Sequence, residues 1–187
     1  MAPSIRAARA TGVVVRAARA ADGDAIVRVH IESADDSYAP LARAWPAADE
    51  QQRREHWAHL VLDERQSSAQ RVDVVAELAG RIVGFRSGGP ARDGAQGAEL
   101  ELYVIHVLPS HRAAGIGALL WSEACQRLRG TALPSMYVVT LAELRCCSFY
   151  QRHGGVEVSR RQRPFHGAQR TEVIYLWAAG RSSAPLE

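Results

Sequence analysis

The chain is 187 residues long and 47% hydrophobic, with a net charge of +3 and a pI of about 9.0. That suffices for one well-packed domain, with no clear second one. All 23 basic residues are arginine and none form a block, so the excess charge reads as surface solvation rather than nucleic-acid binding. Cys125, Cys146 and Cys147 make neither a disulfide framework nor a C-x-x-C metal pair, and no apolar run is long enough to span a membrane. The expectation is a cytoplasmic protein with reduced thiols and no metal.

Residues 1–11 read as a flexible leader. Gly12 to Ala18 is a β-branched run and the first strand. Asp22 stands where a helix N-cap belongs, and Ile26, Val29, His30 and Ile31 give the following helix one apolar face. Ser37, Tyr38, Pro40 and Pro46 break it. Ala47 to Leu62 reads as a second helix with Trp57, Leu60 and Val61 inward. His56 and His59 share a face there as two metal ligands do, but no third ligand is signalled. Arg71 to Leu78 and Arg81 to Ser87 flank Ala79-Gly80 as a tight hairpin, ended by Gly88-Gly89-Pro90.

The next run, ELYVIHVLPSHRAAGIGALL, carries most of the information. An apolar strand, Leu100 to Leu108, stops at Pro109. Ser110 to Ala114 form a short loop, and Gly115-Ile116-Gly117 lead into a helix with Ile116, Leu119, Leu120, Ala124 and Leu128 on one side. A strand that delivers glycines onto a helix start gathers unpaired N–H groups at the positive end of the dipole, an anion site. Spacing separates the possible ligands. A Walker loop needs a lysine, which this chain lacks, and a dinucleotide fingerprint needs a third glycine where Leu120 stands. What remains is R-x-x-G-x-G, Arg112 to Gly117.

Met136 to Leu141 is a further strand and Glu143 to His153 a shorter helix, stopped by Gly154 as a left-handed C-cap. Val156 to Arg161 and Glu172 to Trp177 pair as the last two strands across a Pro164 to Ala168 loop, and residues 180–187 read as a tail.

The R-x-x-G-x-G loop after a strand ending Val-Leu-Pro resembles the acyl-CoA pyrophosphate loop of the GNAT superfamily of N-acetyltransferases, and SFYQRHGG, Ser148 to Gly155, resembles that family's later motif. The order β-α-α-β-β-β-α-β-α-β-β is similar to the family's as well. The resemblance implies a single α/β (α+β) domain, residues 12–179, with a mixed, mostly antiparallel sheet of six to seven strands and about four helices. It implies acetyl-CoA as cosubstrate. The N–H groups of Arg112, Ala113, Ala114, Gly115, Ile116, Gly117 and Ala118 would hold the pyrophosphate. The main chain of Ile105, His106 and Val107 would serve the pantetheine arm and thioester, where a β-bulge helps the central strand part from its neighbour. Tyr38, Trp45 and Trp57 become acceptor-pocket candidates, with Trp57 read first as covering the sheet.

By the same resemblance Tyr150 is the general acid for the departing thiolate, and Glu101, eleven residues before Arg112, the general base. Strict alternation puts Glu99, Glu101, Tyr103 and Ile105 on one face of the strand and His106 on the other. Two positions depart from the family pattern: Glu143 stands where an asparagine usually contacts the pantetheine, and Gly155 where phenylalanine is usual. The reading is an N-acetyltransferase that moves acetyl to a small-molecule amine or a protein N-terminus or lysine by direct attack, with a homodimer among its possible assemblies. The rival is a non-catalytic acyl-CoA-binding sensor on the same fold.

Overall fold

A computed structural model describes residues 12–41, 51–52, 55, 70–92, 97–128 and 134–180. Its elements in chain order are β1 (Val13–Ala17), α1 (Gly23–Tyr38), β2 (Val72–Leu78), β3 (Arg81–Pro90), β4 (Leu100–Val107), α2 (Ile116–Leu128), β5 (Met136–Leu141), α3 (Cys146–Arg152), β6 (Val156–Phe165) and β7 (Ala168–Trp177). Most of the helix expected over Ala47 to Leu62, with Trp57, His56 and His59, lies outside the described residues, as do residues 1–11 and 181–187.

The seven strands form one sheet in the order β1-β2-β3-β4-β5-β7-β6, antiparallel throughout except for β4 and β5. Two type I′-like turns set the register of the outer hairpins. Ala79 and Gly80 have φ of 49° and 75°, and His166 and Gly167 have 47° and 77°. The second turn corrects the expected Pro164 to Ala168 loop: the strands run on to Phe165 and resume at Ala168, because the residues before the turn stay paired up to Phe165 opposite Ala168.

α1 lies on one face of the sheet, α2 and α3 on the other. Ile26, Val27 and Val29 of α1 join Val74, Val75, Phe85 and Leu120 in one core cluster. Trp121 and Cys125 of α2 join Tyr150 of α3, Leu100, Leu102, Tyr175 and Trp177 in a second. The inner side of α2 differs from the expected one. Leu119 is 40% exposed, while Ile116, Leu120, Trp121, Ala124 and Cys125 are buried. The stripe is rotated by about one residue because Trp121 needs the space over β7, where its ring lies 4.7 Å from that of Trp177. At the α1 start, the carboxylate of Asp22 accepts from the Arg19 N–H and pairs with Arg16, so it caps the turn before the helix rather than the helix itself.

Arg86 ties the middle of the sheet together on the α2 face. It is 1% exposed, donates to the Val72 carbonyl at 2.7 Å and reaches Met136 Sδ at 3.5 Å, so it spans from β2 across to β5. Gly88 is glycine because a Cβ there would lie 2.8 Å from Arg86 Nη2 and 2.7 Å from the Glu101 carbonyl.

Candidate active site

The site begins with an irregularity in β4. Ser87 faces Val104 while the next residue, Gly88, faces Leu102, so Tyr103 is one residue too many on β4. Such a bulge bends its strand and reverses the alternation beyond it. Across β3, Phe85, Ser87 and Gly89 pair with His106, Val104 and Glu101, and Arg86, Gly88 and Pro90 with Ile105, Leu102 and Leu100. Residues opposite one another share a face, so Glu101 and His106 lie on the α1 face together. Ile105 joins Leu100 and Leu102 on the other. The alternation expected from the sequence is corrected here: it separated Glu101 from His106 and joined it to Ile105.

β4 and β5 pair only at Leu100–Met136 and Glu101–Tyr137. Beyond these two pairs the strands part, and the β4 edge from Leu102 onward has no partner in β5. A wedge opens toward the ends of β4 and β5, and an extended ligand arm can pair there as an added strand.

At the mouth of the wedge the chain turns through Arg112 to Gly115. Ala113 and Gly115 both have positive φ, 60° and 83°. Left-handed residues alternating with ordinary ones fold successive N–H groups into a concave nest for an anion. The first backbone N–H after Arg112 to find a main-chain acceptor is that of Leu119, on Gly115 O at 3.1 Å. The N–H groups of Ala113 to Ala118 thus have no main-chain acceptor among the described residues, and they stand at the positive end of α2. A Cβ on Gly117 would stand 3.2 Å from Phe149 Cε2, so α2 and α3 approach too closely there for a side chain.

The Arg112 side chain faces away from the nest. Its guanidinium forms an ion pair with Asp36 and donates to Ser33 O and Ser37 Oγ at 3.2 Å, both in α1. Nε donates to Val107 O at 3.3 Å, an oxygen that also accepts from Ser33 Oγ at 3.1 Å. Of the Ile105 to Val107 main chain, the Val107 carbonyl is thus already used within the protein. Sequence reasoning weighed Asp36 only with Asp35, as an acidic cluster suited to a cationic acceptor, and did not pair Ser33, Asp36 and Ser37 with Arg112; their i, i+3, i+4 spacing on the last turns of α1 was the available signal. His106 packs between the rings of His30 (5.0 Å) and Phe85 (5.9 Å). Burial, with help from His30 and Arg112, pushes it down to about 3, so the imidazole is neutral near pH 7.

Glu101 is 5% exposed and fully engaged. Arg92 takes it in a forked ion pair, with Nε on Oε2 at 2.9 Å, and adds its backbone N–H at 3.2 Å; Tyr137 donates its hydroxyl to the same oxygen at 2.9 Å. Arg92 lies over the Tyr103 ring at 4.4 Å, and Tyr103 hydrogen-bonds Pro90 O at 2.7 Å. The guanidinium is held above its ordinary range chiefly by the hydrogen bonds to Glu101.

Tyr150 is buried on α3 with its ring 5.7 to 6.1 Å from Phe149, Tyr175 and Trp177. Burial raises its phenol well above the usual range, so it keeps its proton at neutral pH. Tyr38, at the end of α1, packs on Phe165 of the β6–β7 hairpin at 5.5 Å and is pushed up to about 12 by burial, with a smaller contribution from Cys146. Trp45 lies outside the described residues. Glu143 faces Arg170 at 3.8 Å. Gly155 leaves room that Trp177 uses: a Cβ there would meet Trp177 Cζ2 at 2.8 Å. Among the described residues no three His, Cys, Asp or Glu are grouped as a metal site, and no helix is long and apolar enough to cross a membrane.

A mixed seven-stranded sheet, parted at its one parallel pair beside an N–H nest, suits a ligand that combines a diphosphate with a strand-like arm. The model of the acetyltransferase (GNAT) family matches residues 31–155. The chain belongs to that family. A Bacillus subtilis (strain 168) protein described as the uncharacterized N-acetyltransferase YuaI is 25% identical over 167 residues, 88% of this chain and 92% of its own. Among solved structures, an N-acetyltransferase from Staphylococcus aureus Mu50 superposes with a TM-score of 0.69 at 17% identity, covering 90% of this chain and 99% of its own. The PaiA N-acetyltransferase of Thermoplasma acidophilum, solved in complex with coenzyme A, has a TM-score of 0.61 at 15% identity and covers 86% and 97%. At these identities the two structures speak to the fold alone.

Proposed function

We propose that this protein moves an acetyl group from acetyl-CoA to a primary amine by direct attack within a ternary complex. The observation that carries the reading is the wedge between β4 and β5 together with the Ala113–Ala118 nest at its mouth. Acetyl-CoA supplies the activated acyl thioester. The nest N–H groups hold the diphosphate through the main chain, with Arg112 keeping the loop fixed to α1. The unpaired β4 edge beyond Glu101 takes the arm and offers an N–H to the thioester carbonyl, where negative charge develops. Tyr150, protonated through its burial, donates to the departing thiolate. Tyr38 bounds the acceptor side.

Glu101 serves as base once Arg92 leaves its carboxylate. Arg92 is 60% exposed but Glu101 is buried, so Arg92 can leave only as the acceptor's cationic amine takes its place on the carboxylate. The engagement of Glu101 by Arg92 and Tyr137 is also what favours the second reading, a sensor that binds acyl-CoA without turning it over. Calorimetry with acetyl-CoA tests both, and no binding heat would sink both. Thiol release over a panel of amines separates them. In the catalyst, Glu101→Gln removes the acidic limb of the pH–rate profile. Persistence of that limb assigns the base elsewhere.

A further inference from the structure

Arg92, Arg161, Arg163 and Arg170 are among the arginines on the acceptor-side face of the sheet. Three are held by carboxylates that the fold has buried. Arg92 is tied to Glu101, and Arg161 and Arg163 both pair with Glu172, which is 3% exposed. Arg170 is different. It pairs across the hairpin with Arg163, and its two nearest partners leave it underused. Nη2 donates to Leu41 O at 2.8 Å, the Glu143 carboxylate stays 3.8 Å from Nη1, and Nε is buried with no acceptor. A guanidinium is a planar fork that matches a carboxylate with two parallel N–H bonds, and a buried unpaired donor in a folded protein calls for a partner.

Its surroundings place it at the mouth of the wedge. The Ala142 N–H donates to Thr171 O at 2.8 Å, which sets Arg170 beside the turn that leaves β5. Leu41 lies three residues beyond the end of α1, in the turn its N–H closes onto Tyr38 O, and Phe165, near the tip of the same hairpin, packs on Tyr38 with the rings tilted by 32°. An incompletely satisfied cation thus adjoins an aromatic wall where the acceptor enters.

We propose that Arg170 anchors the acceptor through a carboxylate, so that the amine acetylated here belongs to an amino acid or to a short peptide with a free C-terminus. Glu143 competes with that carboxylate for the same guanidinium and weakens its capture. The inference rests on the acetyl-transfer reading for the identity of the occupant, but binding can be measured without turnover.

The probes are alanine, leucine and phenylalanine as free acids and as carboxamides, with the matching dipeptides free and amidated, titrated calorimetrically into the CoA-saturated protein. The free acids should bind at least tenfold more tightly than the amides. Arg170→Gln should reduce that preference to within twofold, Arg170→Lys should keep part of it, and Glu143→Gln should enlarge it. Preference for dipeptides over amino acids, or the reverse, identifies which source of carboxylate fits. Equal binding of acids and amides, binding of neither, or a preference that survives Arg170→Gln in a protein with wild-type melting behaviour overturns the proposal. Thiol release is followed in parallel. Acid preference without any release would sink the transfer reading and keep the anchor. Release without acid preference would do the opposite.

Discussion

Replacing Arg86 by methionine should stabilise the protein. The guanidinium is almost wholly removed from water yet pairs with no carboxylate among the described residues, and desolvation lowers it to about 10. A depression of that size corresponds to about 3 kcal/mol held against the charged form in the folded state. Met keeps the apolar stem and removes the charge, but it also deprives Val72 O of a 2.7 Å charge-assisted bond worth about 1.5–3 kcal/mol. Buried cations replaced by hydrophobic residues of similar volume commonly leave a net gain. The expected balance is a stabilisation of about 1 kcal/mol near neutral pH, read as the urea midpoint at unchanged slope and as a rise of about 2–4 °C in Tm. The pH dependence has a definite sign. Because the folded group's pKa is lowered to about 10, below that of the unfolded one, the penalty is complete below pH 10. It fades as pH rises between the two values, so the advantage of Arg86→Met over wild type must shrink above pH 10. Destabilisation by more than about 1 kcal/mol would refute the reasoning, since it would mean that Arg86 has an anionic partner within the core.

Three further outcomes are expected at the site. Tyr150→Phe should lower turnover about 100-fold with CoA affinity nearly unchanged in calorimetry; an unaltered rate would assign the proton to another group or to water. Arg112→Ala should cost about 1 kcal/mol of stability by untying the loop from Asp36 and Ser37, yet weaken CoA binding less than about threefold, because the guanidinium is spent on α1. A loss of tenfold or more would show that Arg112 leaves Asp36 to bind phosphate. Gly117→Ala places a methyl 3.2 Å from Phe149, so the start of α2 must shift away from α3 and carry the nest N–H groups with it, and the CoA dissociation constant should rise about tenfold. An unchanged value would mean that the ligand does not approach the main chain closely there.

Local chemistry made much of this protein legible in its sequence. Pro109 had to stop the central strand, Ala79-Gly80 had to turn tightly, and two glycines ahead of an apolar-periodic run had to present unpaired N–H groups. Each of these follows from sterics or hydrogen bonding within a few residues. The R-x-x-G-x-G turn has Ala113 as well as Gly115 in the left-handed region. What the strands and helices do to one another was not legible. A bulge in the central strand is expected from the family resemblance, but its place at Tyr103 is set by pairing with β3, and that place decides that Glu101 and His106 share a face. The side of α2 that turns inward follows the space Trp121 requires over Trp177, not the helical period alone. Whether a charged side chain is available or spent depends on partners far away in the chain. Arg112 is consumed by Asp36, 76 residues away, and Glu101 by Arg92 and Tyr137, while Arg170 is left short. Sequence patterning determines which backbone groups must seek partners; only the tertiary fold decides which side chains have already found them.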